Sequence, residues 1–164
     1  MVFLFVAVIR EVSKIKERHL QALGIVEFVC EQLKKEEDTN SVQEYFIPDN
    51  HTPILHLAIE QGAFKLVEEC LNHFPDLIWY ANRKAKLLLL HVAVEHRQVK
   101  IFNHIIELIG NNTKAFAELQ ADKGNNILHL AAKLASTSQV ASVPGPAFQM
   151  QLEFQWFKVR NALL

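Results

Sequence analysis

The sequence predicts an all-α chain: a solenoid of about three short helix-turn-helix repeats, preceded by an amphipathic helix and closed by a long aromatic one. Three observations carry that expectation. ILHLA stands at 54–58 and again at 127–131, with LHVAV between them at 90–94. A histidine among aliphatic residues, with alanine two places on, therefore recurs as His56/Ala58, His91/Ala93 and His129/Ala131, at spacings of 35 and 38 residues. After each phrase comes a second run whose apolar residues fall at helical spacing, and recurrence on this scale implies units that bury their faces by stacking.

The opening VFLFVAVI, Val2 to Ile9, is apolar but far shorter than the roughly 18–20 residues that span a bilayer. It has no basic region before it and no small-residue cleavage site, so a buried helix or strand, or the remnant of a longer element, fits better than a targeting signal. From Ser13 to Lys35, Ile15, Leu20, Leu23, Val26, Val29 or Cys30, and Leu33 mark one side of an amphipathic helix. The charged and polar stretch 34–50 ends in Ile47-Pro48-Asp49-Asn50 and reads as a linker, with Tyr45 and Phe46 turned back towards the fold. This divides the chain into an N-terminal helical segment and linker, 1–49, and a repeat domain, 50–164, with repeats at about 50–83, 84–121 and 122–160.

In the first repeat Glu60-Gln61-Gly62 makes a tight turn before Phe64 to Leu71, where Leu66, Val67, Cys70 and Leu71 form the second stripe. In the second, His96-Arg97-Gln98 turns into Val99 to Ile109, striped by Ile101, Phe102, Ile105, Ile106 and Ile109. Leu87 to Leu90 resembles a strand in isolation, but its neighbours make it a turn entering a helix. Arg97 is expected to pair with Glu95 or Glu60. The third repeat departs most: a long Thr137–Ala147 loop with Pro144-Gly145-Pro146 precedes an aromatic helix from Phe148 to Arg160. Phe148, Leu152, Trp156 and Val159 share one face of it, broadened by Met150, Phe154 and Phe157. That helix either caps the stack or awaits a partner.

These phrases resemble the ankyrin repeat, whose signature is Thr-Pro-Leu-His-x-Ala-Ala followed by x-x-Gly. The first copy matches at Leu55, His56, Ala58 and Gly62, with Thr52-Pro53 one residue early. The second matches at Leu90, His91 and Ala93, with Arg97 in the glycine place. The third matches at Gly124, Leu128, His129, Ala131 and Ala132, with Asn126 in the threonine place. In this reading the three histidines brace turns and neighbouring units, and the alanines allow helices to approach.

NHFPDLI at 72–78, LLHVAVEHRQVKIF at 89–102, DKGNNILHLAAKL at 122–134 and VPGPAFQMQLEFQWFKVR at 143–160 resemble, more narrowly, plant ankyrin-repeat proteins with a C-terminal PGG domain. Arg18 to Leu33 resembles the segment before their last repeats. The resemblance implies an accelerated-cell-death or salt-tolerance type of protein with cytosolic repeats and, in full-length relatives, a membrane anchor. This chain shows neither the PGG transmembrane module nor upstream repeats, so it is expected to be a truncated member or fragment.

Composition narrows the function. Lys and Arg total 17 against 18 for Asp and Glu, a net charge of -1, which gives no general attraction to nucleic acid. Cys30 and Cys70 are too few for a disulfide framework and suit apolar positions in a reducing compartment. No Cys-x-x-Cys or His-Glu-x-x-His run, phosphate loop or acid–base pair occurs, so neither enzyme activity, metal nor cofactor is expected. The expectation is a cytoplasmic, non-enzymatic protein-interaction module without a membrane span of its own, its alternative a fragment that pairs with itself or with full-length relatives. The candidate contact residues are His51, Gln61, Tyr80, Arg83, His96 and Asn125 near the turns, with Asn50, Asn82 and Lys84 beside them. Phe154 and Trp156 join them as aromatic anchors.

Overall fold

Apolar stripes at helical spacing become helices throughout, and helix is the only regular secondary structure among the described residues. The computed structural model describes the backbone of residues 2–35, 46, 53–79, 81, 86–121, 124–133 and 145–163 and, outside 2–12, 157 and 159–163, their side chains. The expectations for Tyr45, the remaining linker and the 134–144 loop lie outside the described residues.

Helix α1 spans Val2–Lys35, so it starts well before Ser13. With no glycine or proline before Gly24, nothing stops the helix from extending back through the apolar opening. Lys34 and Lys35 in its last turn suit the negative end of the helix dipole. One face is covered, with Cys30 and Leu33 buried and Leu23 and Val26 partly so, whereas Ile25, Phe28 and Val29 are exposed.

Two helix pairs follow: α2 (Ile54–Glu60) with α3 (Phe64–His73), and α4 (Leu89–Glu95) with α5 (Val99–Ile109). A 3-10 turn at Pro75–Trp79 leaves α3, and a shorter one at Gly110–Asn112 leads from α5 into α6 (Thr113–Glu118). Then come α7 (Ile127–Ala132) and α8 (Pro146–Leu163). Sequence spacing does not announce α6, yet its Phe116 is among the largest fully buried side chains.

The helices pack in two layers. In one, α2 lies on α4 and α4 on α7; in the other, α1 lies on α3 and α3 on α5. Helix α8 packs against α7 and reaches α5 through Trp156, whose ring meets Phe102 edge-on at 5.6 Å. One apolar core runs between the layers from Cys30 and Leu33 to Trp156. Phe46 joins it, buried against Phe74 at 5.8 Å.

The two complete pairs are wired alike. Leu57 N–H donates to Pro53 O and Val92 N–H to Leu88 O at the helix starts, and the third start repeats this from Leu130 to Asn126. At the turns, Ala63 N–H donates to Ala58 O at 2.8 Å, as Gln98 N–H does to Ala93 O at 2.9 Å. This turn needs a left-handed residue. Gly62 supplies it at φ 69°, and Arg97 adopts the same conformation at φ 55°. A side chain there costs roughly 1 kcal/mol, so Arg97 must find compensation elsewhere.

Candidate interaction surface

The repeated histidines show how neighbouring units are held. His91 is wholly buried at the start of α4. Its Nδ1 lies 3.3 Å from the Leu88 N–H, and its Nε2 lies 3.1 Å from the Leu119 carbonyl just before the next unit. The neutral Nε2–H tautomer satisfies both groups, accepting from Leu88 and donating to Leu119. Burial pushes its pKa down, against opposing effects of the Leu119 carbonyl and Glu95.

His129 repeats the local half of this arrangement. Its Nδ1 accepts from Asn126 N–H at 3.3 Å, and Asn126 Oδ1 accepts from His129 N–H at 3.0 Å, a reciprocal cap at the start of α7. His56 departs because Pro53 precedes α2 and has no N–H to give. Its Nε2 is left buried without a hydrogen-bond partner. Burial pushes the imidazole down to about 4, with Leu87 offsetting only part of the effect.

These contacts also orient the first layer. The start of α2 faces Leu87, before α4, while Gly62 at its far end lies against the Gln98 side chain after α4. Similarly His91 meets Leu119 before α7, while Arg97 donates to the Lys133 carbonyl at its end. Helices α2, α4 and α7 therefore run in the same direction, with starts along one edge and turns along the other. Ala58, Ala93 and Ala131 are buried between them. Gly124 has φ 70° within a tight turn in which its N–H donates to Ala121 O, and Ala121 N–H donates to Asn125 O.

This geometry sorts the candidate contact residues. Exposed Gln61 and half-buried His96 occupy equivalent turn positions on one edge. Asn125, half-buried before α7, lies on the opposite edge, so one flat partner patch does not take in all three. His51, Tyr80 and Arg83 lie outside the described residues, as do Asn50, Asn82 and Lys84. Phe154 is exposed on α8.

Two expectations need correction. Trp156 is not a surface anchor: it is 4% exposed, covered by Phe102 and by the Arg97 guanidinium 5.5 Å from its ring centre. Arg97 pairs with neither Glu95 nor Glu60 but with Glu153 on α8, at 2.9 Å. Together these contacts rotate α8 so that Trp156 and Glu153 face inward while Phe148 and Leu152 face solvent. Sequence reading also missed Trp79, half exposed on the edge of the helix starts and packed on Phe116 at a centroid distance of 4.2 Å. Its place beside Tyr80, already a candidate, is the signal that could have found it.

A groove of about 580 Å³ lies between α1 and the start of α3, lined by apolar Leu23, Val26, Phe64 and Leu66 and by basic His19, Lys65 and Lys100. Among the described residues, neither carboxylate nor hydroxyl lines it to act with His19 as an acid–base pair. Among the described residues no group of three or more His, Cys, Asp or Glu converges as a metal site, and no helix is long and apolar enough to cross a membrane. Compared with protein-family models, curated proteins and solved structures, the chain matches none of them.

Proposed function

We propose that this chain is a non-enzymatic protein-interaction module of ankyrin type, three stacked units that present a partner surface along their turns and first helices. The observation that carries this reading is the duplicated wiring: the same turn hydrogen bonds at Ala63 and Gln98, and histidines aimed at the following unit from α2 and α4. Such a frame holds an extended surface without a cofactor, and its specificity resides in side chains that protrude from it. Gln61, His96 and Asn125 are those contacts on the described edges. The resemblance to plant PGG-type relatives points to stress or defence signalling, and two free buried thiols fit a reducing, cytoplasmic setting.

The test is affinity capture from plant extract with quantitative mass spectrometry, followed by calorimetry with the purified partner. The intact chain is compared with a Gln61→Ala/His96→Ala variant that circular dichroism shows to be folded. A partner that binds the intact chain directly and the variant at least tenfold more weakly supports this reading. Equal binding by both chains removes that edge as the binding surface, and enrichment of chaperones alone counts against an interaction module.

A second reading, end-to-end pairing with another copy or a full-length relative, is favoured by one observation. Leu89 and Val92 of α4, the helix that α2 lies on, and Ile127 and Leu130 of α7, the helix that α4 lies on, are all at 6% exposure or less. The equivalent Ile54 and Leu57 of α2 are 49% and 50% exposed. At the other end His129 is exposed where His56 and His91 are buried. Sedimentation at rising concentration decides: association abolished by Leu57→Lys supports pairing, whereas a monomer throughout rejects self-pairing.

A further inference from the structure

Cys30 and Cys70 are the only cysteines in the chain and lie far apart in sequence. The fold brings them together. Cys30 lies on the covered face of α1, Cys70 on α3, and α3 is the helix against which α1 packs. Both are free and almost wholly buried, at 1% and 3% exposure, and lie close enough across that crossing for each thiol to perturb the other. They therefore meet at the crossing that fastens α1 to α3.

We propose that Cys30 and Cys70 form a reversible modification site, oxidised to an intrachain disulfide by exchange with a small-molecule disulfide such as glutathione disulfide, which fastens α1 to α3. Exchange starts from a thiolate. With α1 docked, burial raises both thiols, Cys70 to about 12, so the closed pair is inert. Helix α1 is held along one face, with Ile25, Phe28 and Val29 exposed on another, and elements so sparsely covered open locally before the core does.

In the open state one cysteine thiolate attacks glutathione disulfide, forming a mixed disulfide and releasing one glutathione thiolate. As α1 swings back, and before burial is complete, the second cysteine loses its proton to water and attacks the protein sulfur of that mixed disulfide, expelling the other glutathione. Two protein thiols and one glutathione disulfide become one protein disulfide and two glutathione thiols. Two electrons pass to the glutathione sulfurs, which also take up the two protons.

The test uses the full chain, incubated with glutathione disulfide and followed by thiol titration, non-reducing peptide mapping and amide exchange of residues 23–33. The expected result is loss of both thiols in a monomer, a linked Cys30–Cys70 peptide, reversal by dithiothreitol, and exchange in α1 slowed at least about tenfold. Cys30→Ser is expected to give only a glutathione adduct on Cys70 and no slowing; equal slowing in that variant would show that the disulfide is not the clamp. Persistence of both thiols after the α1 amides have exchanged, or formation of only intermolecular or glutathione-mixed disulfides, overturns the proposal.

Discussion

The Arg97 guanidinium holds the Glu153 carboxylate through two hydrogen bonds, Nη2 to Oε2 at 2.9 Å and Nε to Oε1 at 3.2 Å, joining the turn after α4 to α8 across 56 residues. The same side chain donates to the Val94 and Lys133 carbonyls and lies over Trp156. An arginine where the first turn has glycine is thus a strained residue whose contacts replace what its backbone loses.

Replacing Arg97 separates the two effects. Arg97→Ala keeps the unfavourable φ and loses every side-chain contact, so a loss of about 2–3 kcal/mol is expected from urea denaturation. Arg97→Gly loses the same contacts but relaxes the backbone and is expected to be about 1 kcal/mol more stable than the alanine variant. A double-mutant cycle with Glu153→Gln should return a coupling of about 1–2 kcal/mol. Additive effects would show that the pair contributes nothing beyond its separate members.

Gly62 meets a different constraint. An added Cβ would lie 3.0 Å from Gln98 Oε1 and sit on a backbone at φ 69°. Gly62→Ala is expected to cost about 1–2 kcal/mol. Adding Gln98→Ala removes the crowding but not the backbone cost, so it should restore only part of the loss. Full recovery in thermal or urea unfolding would mean that crowding alone was responsible.

The histidines predict a pH dependence with a definite sign. His56 is held neutral with a pKa of about 4, below the value of about 6.5 for an unfolded histidine. Between these values the unfolded chain binds more protons, so the stability due to the neutral form is present above about pH 6.5 and falls as pH drops towards 4, by about 3 kcal/mol. His91, shifted the same way by burial, adds to that loss.

Leucine substitutions distinguish the two sites. His56→Leu removes a poorly satisfied imidazole and should change stability at pH 7 by less than about 1 kcal/mol while flattening the acid limb. His91→Leu leaves the Leu88 N–H and Leu119 carbonyl without their partner and should cost about 2–3 kcal/mol at pH 7. Urea titrations from pH 4 to 8 compare them. Equal losses at neutral pH would contradict the difference in their hydrogen bonding.

The period of the His-x-Ala phrases, with the apolar stripes after them, is enough to place α2, α3, α4, α5 and α7, because these helices are specified by spacing within a few turns. The glycine place in the second unit was also readable: its occupant, Arg97, takes the left-handed conformation that Gly62 takes in the first. Partner choice for that arginine was not readable. The sequence suggested Glu95 beside it or Glu60 at the end of the preceding unit's first helix, whereas the packing of α8 supplied Glu153 and, with it, the inward turn of Trp156. An aromatic helix with apolar residues on several sides leaves its rotation undetermined until a neighbour's charge and shape select one face. The same holds for Cys30 and Cys70, apolar fillers when each helix is read alone. Only the crossing of α1 with α3 makes them a pair, because contact between residues distant in sequence is a property of the packed core.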